Sequence, residues 1–217
     1  MSVKMIALKS REEWQQHRAK YIGGSDAAAA IGANPYMSNV DLWEIKTGIK
    51  EAKDISQEPF VKYGTLAEYH LRELFRLDFP EYVVSYIPNN SFLNERYSWA
   101  AVSLDGWLKD DKGRQGVLEI KTTNIKKAGQ REKWDDAIPQ NYYIQLLHAL
   151  MVTEFDFAVL KAQLRYHEGI DTLHVTKHYR IERHEVQADI DYLTEREATF
   201  ADFVKTGKRP PLILPSL

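Results

Sequence analysis

Asp105, Glu119 and Lys121 are the residues with the clearest chemical claim in this 217-residue chain. Val117, Leu118, Glu119, Ile120 and Lys121 alternate as a β-strand does, which puts Val117, Glu119 and Lys121 on one face and Leu118 and Ile120 on the other. An acid and a base thus share a face that a central strand would normally fill with apolar groups. Burying them costs several kcal/mol per ion unless a partner or a metal compensates. Asp105 lies on a strand predicted over 99–108, joined to the first by a turn of Lys109, Asp110, Asp111, Lys112 and Gly113, so its carboxylate can converge with that of Glu119. Two carboxylates at one point repel. A hard divalent cation removes that repulsion, and Mg2+, held by few carboxylates with water and substrate phosphate, suits the pair better than an all-protein calcium cage. Lys121 can then hold a water or hydroxide for attack on phosphorus and offset the charge that develops. A buried Glu–Lys–Asp ion pair without a catalytic role is the other reading of the same three residues.

The elements that must position this hairpin are legible around it. A helix is predicted over 11–21, around Trp14 and Arg18, and the tight run Ile22, Gly23, Gly24, Ser25, Asp26 feeds a helix at 27–30 with Ser25 or Asp26 as N-cap. Glycines, a hydroxyl and free amides make that turn an anion site, to which Arg18 adds a planar fork. Ser38 with Asp41 opens another helix that Gly48 closes. A longer helix covers 59–77. Within it, Thr65 to Glu68 reads either as a capping box or as a face that Glu68 shares with Leu71 and Phe75, placing an acid toward the core. Strands are predicted at 82–87, 99–108, 116–122, 155–164 and 172–181. A buried helix runs from Pro139 through Tyr142, Gln145 and His148 to 152, and an amphipathic helix over 185–205 ends at Gly207 and Pro210-Pro211. Gln145 is open to an ordinary structural reading, and His17, His70 and His148 have no metal-ligand spacing and read as structural.

This order predicts one domain over 1–217, an α/β protein of the α+β type: a central mixed β-sheet flanked by helices on both faces. Its parts are an N-terminal helical part (11–50), a core (59–183) and a C-terminal helix (185–206). The composition, 44% hydrophobic and 28% charged, is that of a globular chain, and no apolar run approaches the roughly 20 residues of a membrane span. Residues 1–11 lack a secretory pattern, so a cytoplasmic location is expected. The absence of cysteine excludes disulfides, thiolate zinc, iron–sulfur clusters and cysteine nucleophiles. No glycine-lysine phosphate loop of the Walker type is present, which disfavours an ATP-driven enzyme. The net charge of -2 conceals a division between a basic run from Lys109 to Lys133 and an acidic stretch over 184–202.

Asp105 followed by Glu119, Ile120 and Lys121 resembles the D…(E/D)xK signature of the PD-(D/E)xK nucleases, whose restriction-endonuclease-like core has the fold predicted above. The surroundings are similar, in order, to the YqaJ-type viral recombinase branch, which includes the lambda-type alkaline exonucleases: Trp14, Arg18 and Ile22 to Ala27; Leu42-Trp43; Lys46 to Gly48; Gly64-Thr65 and Glu68; Leu104 to Gly106; Leu118 to Thr122; Pro139, Tyr142-Tyr143 and Gln145. That resemblance implies digestion of linear duplex DNA from 5′ to 3′, leaving a 3′ single strand for a phage single-strand annealing protein. It assigns two Mg2+ ions, with Mn2+ as a substitute, to Asp105, Glu119, the carbonyl of Ile120 and Glu68. Lys121 would position the nucleophile and Gln145 would bond Lys121 or its water. Arg18 and Ser25, with Gly24 and Tyr142, would hold the 5′-phosphate and the DNA. It further implies a homotrimeric ring, no membrane association, and a phage or prophage origin in a bacterial cytoplasm. A site-specific endonuclease of the same fold and a non-catalytic DNA-end binding module are the competing readings.

Overall fold

The structure, a computed structural model, describes residues 2–135, 137–168 and 171–214. In chain order the elements are β1 (Val3–Ala7), α1 (Arg11–Ala19), α2 (Gly24–Ala30), α3 (Asn39–Lys46), α4 (Pro59–Asp78), β2 (Val83–Ser85), β3 (Asn90–Asn94), β4 (Ala101–Val102), β5 (Gly106–Lys109) and β6 (Gln115–Ile125). There follow α5 (Ala128–Glu132), α6 (Gln140–Thr153), β7 (Phe157–Glu168), β8 (Asp171–Glu182) and α7 (Gln187–Thr206).

The central sheet has the order β2-β5-β6-β7-β8, with β6 and β7 parallel and the other neighbours antiparallel. A parallel pair cannot be closed by a tight turn, and α5 and α6 supply the crossover. The alternation of β6 then sorts the molecule into layers. Leu118 and Ile120 pack with Leu71 and Phe75 of α4 and with Phe157 and Val159 of β7, whereas Val117 joins Leu146, Leu147 and Leu150 of α6. Helices cover both faces of a mixed sheet, as the sequence predicts. α7 lies against α6, contributing Ile190 and Leu193 to the same cluster.

Local chemistry sets most boundaries. Ser38 Oγ accepts from the amide of Asp41 and Asp41 answers the amide of Ser38, so the capping box predicted for α3 is present. Gly48 and Gly207, at φ 76° and 68°, adopt the left-handed conformation that ends α3 and α7 at low steric cost.

Four expectations need correction. The strand over 99–108 is two strands: β4 belongs to a second, three-stranded sheet of order β1-β3-β4, and β5 to the central one. Neither β1 nor β3 is foreseen, because runs such as Asn90-Ser91-Phe92-Leu93-Asn94 carry turn-forming residues rather than a strand composition. α2 begins at Gly24 with Gly23 as its N-cap, so neither Ser25 nor Asp26 is the cap; Asp26 instead accepts from the amide of Gly23 at 3.1 Å. Thr65 and Glu68 form no capping box, since α4 already starts at Pro59. The remaining predicted elements are present with ends shifted by a few residues.

Candidate active site

Asp105 sits where the chain passes from the small sheet to the central one. The side chain of buried Asn90 makes that crossing possible: its amide donates to the carbonyl of Leu104 at 2.9 Å and its oxygen accepts from the amide of Leu104 at 2.8 Å, supplying the partners a neighbouring strand would have given. One residue later the Oδ2 of Asp105 accepts from the amide of Ile120 at 2.8 Å. The antiparallel register pairs Gly106 with Leu118, so Asp105 and Glu119 meet at the mouth of the hairpin.

Glu119 faces α6, as its alternation with Leu118 requires. Its Oε1 accepts from Lys121 Nζ at 2.6 Å and from Gln145 Nε2 at 2.6 Å. Glu68 arrives from α4, where its Oε1 accepts from Arg72 at 3.1 Å. Lys121 and Gln145 therefore address the same carboxylate oxygen, while each of the other two acids has its own donor.

Burial governs the electrostatics. It raises Glu119 to about 7 against the attraction of Lys121, with Asp105 adding to the rise. Asp105 is raised by burial in spite of Lys121 and the Ile120 amide, and Glu68 by burial and the charge of Asp105. Burial alone would lower Lys121, but Glu119 and Asp105 outweigh it and keep the amine protonated. Three acids whose ionised forms burial disfavours thus converge beside one lysine and one arginine. A hard cation with all-oxygen ligands fits that donor set. Among the described residues no three His, Cys, Asp or Glu groups stand close enough to cage an ion by themselves.

A cavity of about 280 Å³ opens onto these residues, and it is lined from one side by Glu68, Asp105, Glu119, Lys121 and Gln145 and from the other by Arg18, Gly24 and Ser25. Arg18 donates to the Ser25 hydroxyl across α1 and α2. Eight of the ten residues singled out in the sequence are therefore brought to one space. The other two stand beside it. Ile120 turns its side chain to the α4 face and touches Asp105 only through its amide, and the ring of Tyr142 packs on Trp134 with Lys121 Nζ 5.5 Å from its centroid.

The same cavity is lined by residues to which the sequence reading gave no role there, including Arg11, Tyr86, Asn90 and Ser103, and by His17, read as structural, whose Nε2 lies 3.1 Å from Ser91 Oγ. Trp14, matched only as a motif position, donates from Nε1 to Ser103 Oγ at 2.8 Å and lies within 4.0 Å and 5.2 Å of the guanidinium groups of Arg11 and Arg18. The spacing of Arg11, Trp14 and Arg18 along one helix face was a usable signal. Tyr86 and Asn90 offered none, because the segment 86–94 carries no predicted element beyond the end of one strand.

Residues 13–156 match the YqaJ-like viral recombinase domain. The chain belongs to that family. Every site residue carried over by the resemblance lies inside this YqaJ-like region, while β7, β8 and α7 lie beyond it. The chain is 31% identical over 144 residues to the YqaJ protein of Bacillus subtilis strain 168, covering 66% of this chain and 42% of that protein. It thus spans less than half the length of that relative. In fold it is similar to an alkaline exonuclease from Laribacter hongkongensis, with TM-score 0.63, 17% identity and coverage of 91% of this chain and 96% of that one; a complex of the same enzyme with dAMP matches equally. A phage related exonuclease from Haemophilus somnus 129PT matches with TM-score 0.50 and 12% identity over 86% of this chain and 96% of its own. At such identities these likenesses establish the fold. Among the described residues no helix is long and apolar enough to cross a membrane.

Proposed function

We propose that this YqaJ-like chain is a Mg2+-dependent deoxyribonuclease that digests linear duplex DNA from 5′ to 3′ and leaves a 3′ single strand. The observation that carries the reading is the shared cavity: Arg18, Gly24 and Ser25 open into the same space as Asp105, Glu119 and Lys121, so a strand end anchored at the first group reaches the second. Arg18 and Ser25, already bonded to each other, would grip a terminal 5′-phosphate through a fork and a hydroxyl. Lys121, protonated and aimed at Glu119, would hold the attacking water and offset charge on the phosphorane oxygens. Gln145 keeps the Glu119 carboxylate in place, and Tyr142 borders the site on the Lys121 side. Asp105, Glu119, the Ile120 carbonyl and Glu68 would hold two Mg2+ ions, with Mn2+ as substitute. Bound there, the metals supply water activation at neutral pH and stabilisation of the leaving oxygen. The kinship with the family and a fold shared with an exonuclease also solved with dAMP support the choice of nucleic acid as substrate.

Three further elements belong to the same proposal: a homotrimeric ring that encloses the duplex, a phage single-strand annealing protein that takes up the product, and action in the bacterial cytoplasm. Within the basic run, Arg114 pairs with Asp110 at 2.8 Å and with Glu182 at 3.1 Å, and Lys121 faces the cavity. The deciding experiment digests linear duplexes bearing 5′-phosphate or 5′-hydroxyl ends, beside closed circular plasmid, with Mg2+ and with chelator. Faster loss of the phosphorylated duplex and intact circles are expected. Cutting of the circle would instead favour an endonuclease, and equal rates at both ends would remove Arg18 and Ser25 from the mechanism.

A further inference from the structure

Arg72 has no part in the sequence motif, yet it occupies the junction of three elements beside the acids. It lies one helical turn after Glu68 on α4 and is 4% exposed. A single nitrogen, Nη1, donates both to Glu68 Oε1 at 3.1 Å and to the backbone carbonyl of Asp105 at 2.7 Å. The guanidinium carbon Cζ also lies over the Tyr86 ring, 3.6 Å from its centroid. Its stem crosses the chain at Gly106, where a Cβ would come within 3.5 Å of Arg72 Cδ and 3.2 Å of Leu118 Cδ2. Only the approach to Leu118 is tight; a Cβ would also meet the Ser85 carbonyl at 3.4 Å, in ordinary contact as with Arg72.

We infer that Arg72 is a positioning residue that locks Glu68 to the backbone of Asp105 and so sets how these acids are presented to a divalent cation. The inference rests on the metal-dependent reading proposed above. An exposed Glu–Arg pair one turn apart contributes little. This one differs because the arginine is buried, bonded to a second element and stacked on a third. The bond to Oε1 leaves the other Glu68 oxygen for the cavity that the residue lines. The bond to the Asp105 carbonyl fixes the backbone from which that carboxylate projects, and the Ile120 amide fixes the carboxylate itself. Lysine retains the charge but loses the planar fork that bonds and stacks at once. Donors that orient metal-binding carboxylates commonly change metal affinity or activity by about 10–100-fold when removed.

The test uses the whole chain with Arg72→Gln, Arg72→Lys and Tyr86→Leu. Binding of Mn2+ is measured by calorimetry, the Mg2+ concentration at half-maximal digestion and KM for linear duplex by kinetics, and folding by thermal melts. Arg72→Gln should weaken Mn2+ binding and raise the Mg2+ requirement by about 10–100-fold, with KM for DNA little changed at saturating Mg2+. Arg72→Lys should fall between it and the wild type, and Tyr86→Leu should shift metal affinity in the same direction by less. A lower melting temperature with unchanged metal affinity would show a purely structural role and overturn the inference, as would tighter metal binding. If Arg72→Gln does not fold, the metal affinities of the other two variants decide, and wild-type affinity in both sinks it. A wild-type chain that binds no Mn2+ and cuts no DNA removes the functional reading itself, an outcome distinct from variants that match an active wild type.

Discussion

Two carboxylate–cation pairs lie in the core of this protein, one within β6 and one between α6 and α7, and they are built differently. Glu119 and Lys121 meet at 2.6 Å with side chains 3% and 23% exposed, whereas His148 and Glu197 meet at 2.8 Å with both side chains at 0%. His148 Nδ1 faces Glu197 and Nε2 faces the carbonyl of Ala101 at 3.2 Å, and an acceptor at each nitrogen favours the doubly protonated ring. Burial acts to lower this imidazole, but Glu197, the Ala101 carbonyl and Asp26 together raise it. The sealed pair ties α7 to α6 and β4 and has no access to a substrate. The open pair borders a cavity, where one partner can be released to other work. Access to a cavity, more than burial of charge, separates the pair that holds the fold from the pair that can do chemistry.

The largest expected effect breaks the sealed pair. Glu197→Ala leaves the buried His148 ring without the carboxylate at its Nδ1 and should cost about 3–5 kcal/mol. Thermal melts should fall on the order of 10 °C for a chain of this size, at roughly 2–4 °C per kcal/mol, while the digestion rate per folded molecule at low temperature stays near wild type. The same pair predicts a pH dependence. Because the folded value of His148 is raised, its contribution is complete below the unfolded pKa of about 6.5 and is lost as pH rises through the folded value. Melting temperatures should decline above neutrality in the wild type and decline less in Glu197→Gln.

Lys121→Ala probes the open pair and should reverse the pattern. Turnover should drop by about 10²–10³-fold or more, the scale set by loss of one charge-stabilising donor. DNA binding in a gel-shift assay and the melting temperature should change little, because Glu119 already sits at about 7, retains Gln145 and can take up a proton. A large fall in melting temperature would mean that the open pair is structural as well.

Asn90→Ala should lie between these extremes. It strips both backbone groups of Leu104 of their partners, at about 1–3 kcal/mol for a buried group left unsatisfied. It should also slow digestion, since Asp105 follows directly. Ser38→Ala removes a cap far from the cavity and should cost only about 1 kcal/mol, visible in denaturant unfolding with unchanged activity.

The chemistry of the site was readable where it depended on alternation within one element. Glu119 and Lys121 share a face because a strand has period two, and Gln145 and Tyr142 share a helix whose apolar surroundings announced its burial. Glu68 was ambiguous between a cap and a core-facing acid, and only the start of α4 at Pro59 resolved it. The helix predicted over 185–205 is amphipathic, and the structure buries Glu197 on it completely. Its spacing from Ile190, Leu193 and Phe200 puts it on the buried face of α7, but no local pattern names its partner, which lies on another helix.

The sequence by itself determined the principal helices, the mixed sheet with helices on both faces and the strand face that Glu119 shares with Lys121. Each of these follows from propensities and periods that act over a few residues. Tertiary structure alone decided that the strand over 99–108 breaks at Asp105, that Asn90 and Arg72 fix the crossing, and that Arg18 and Ser25 open into the space of Glu119 and Lys121. The hydrogen bonds that fix the crossing join residues 14 and 33 positions apart, and no local period encodes which partner a buried amide or guanidinium will find.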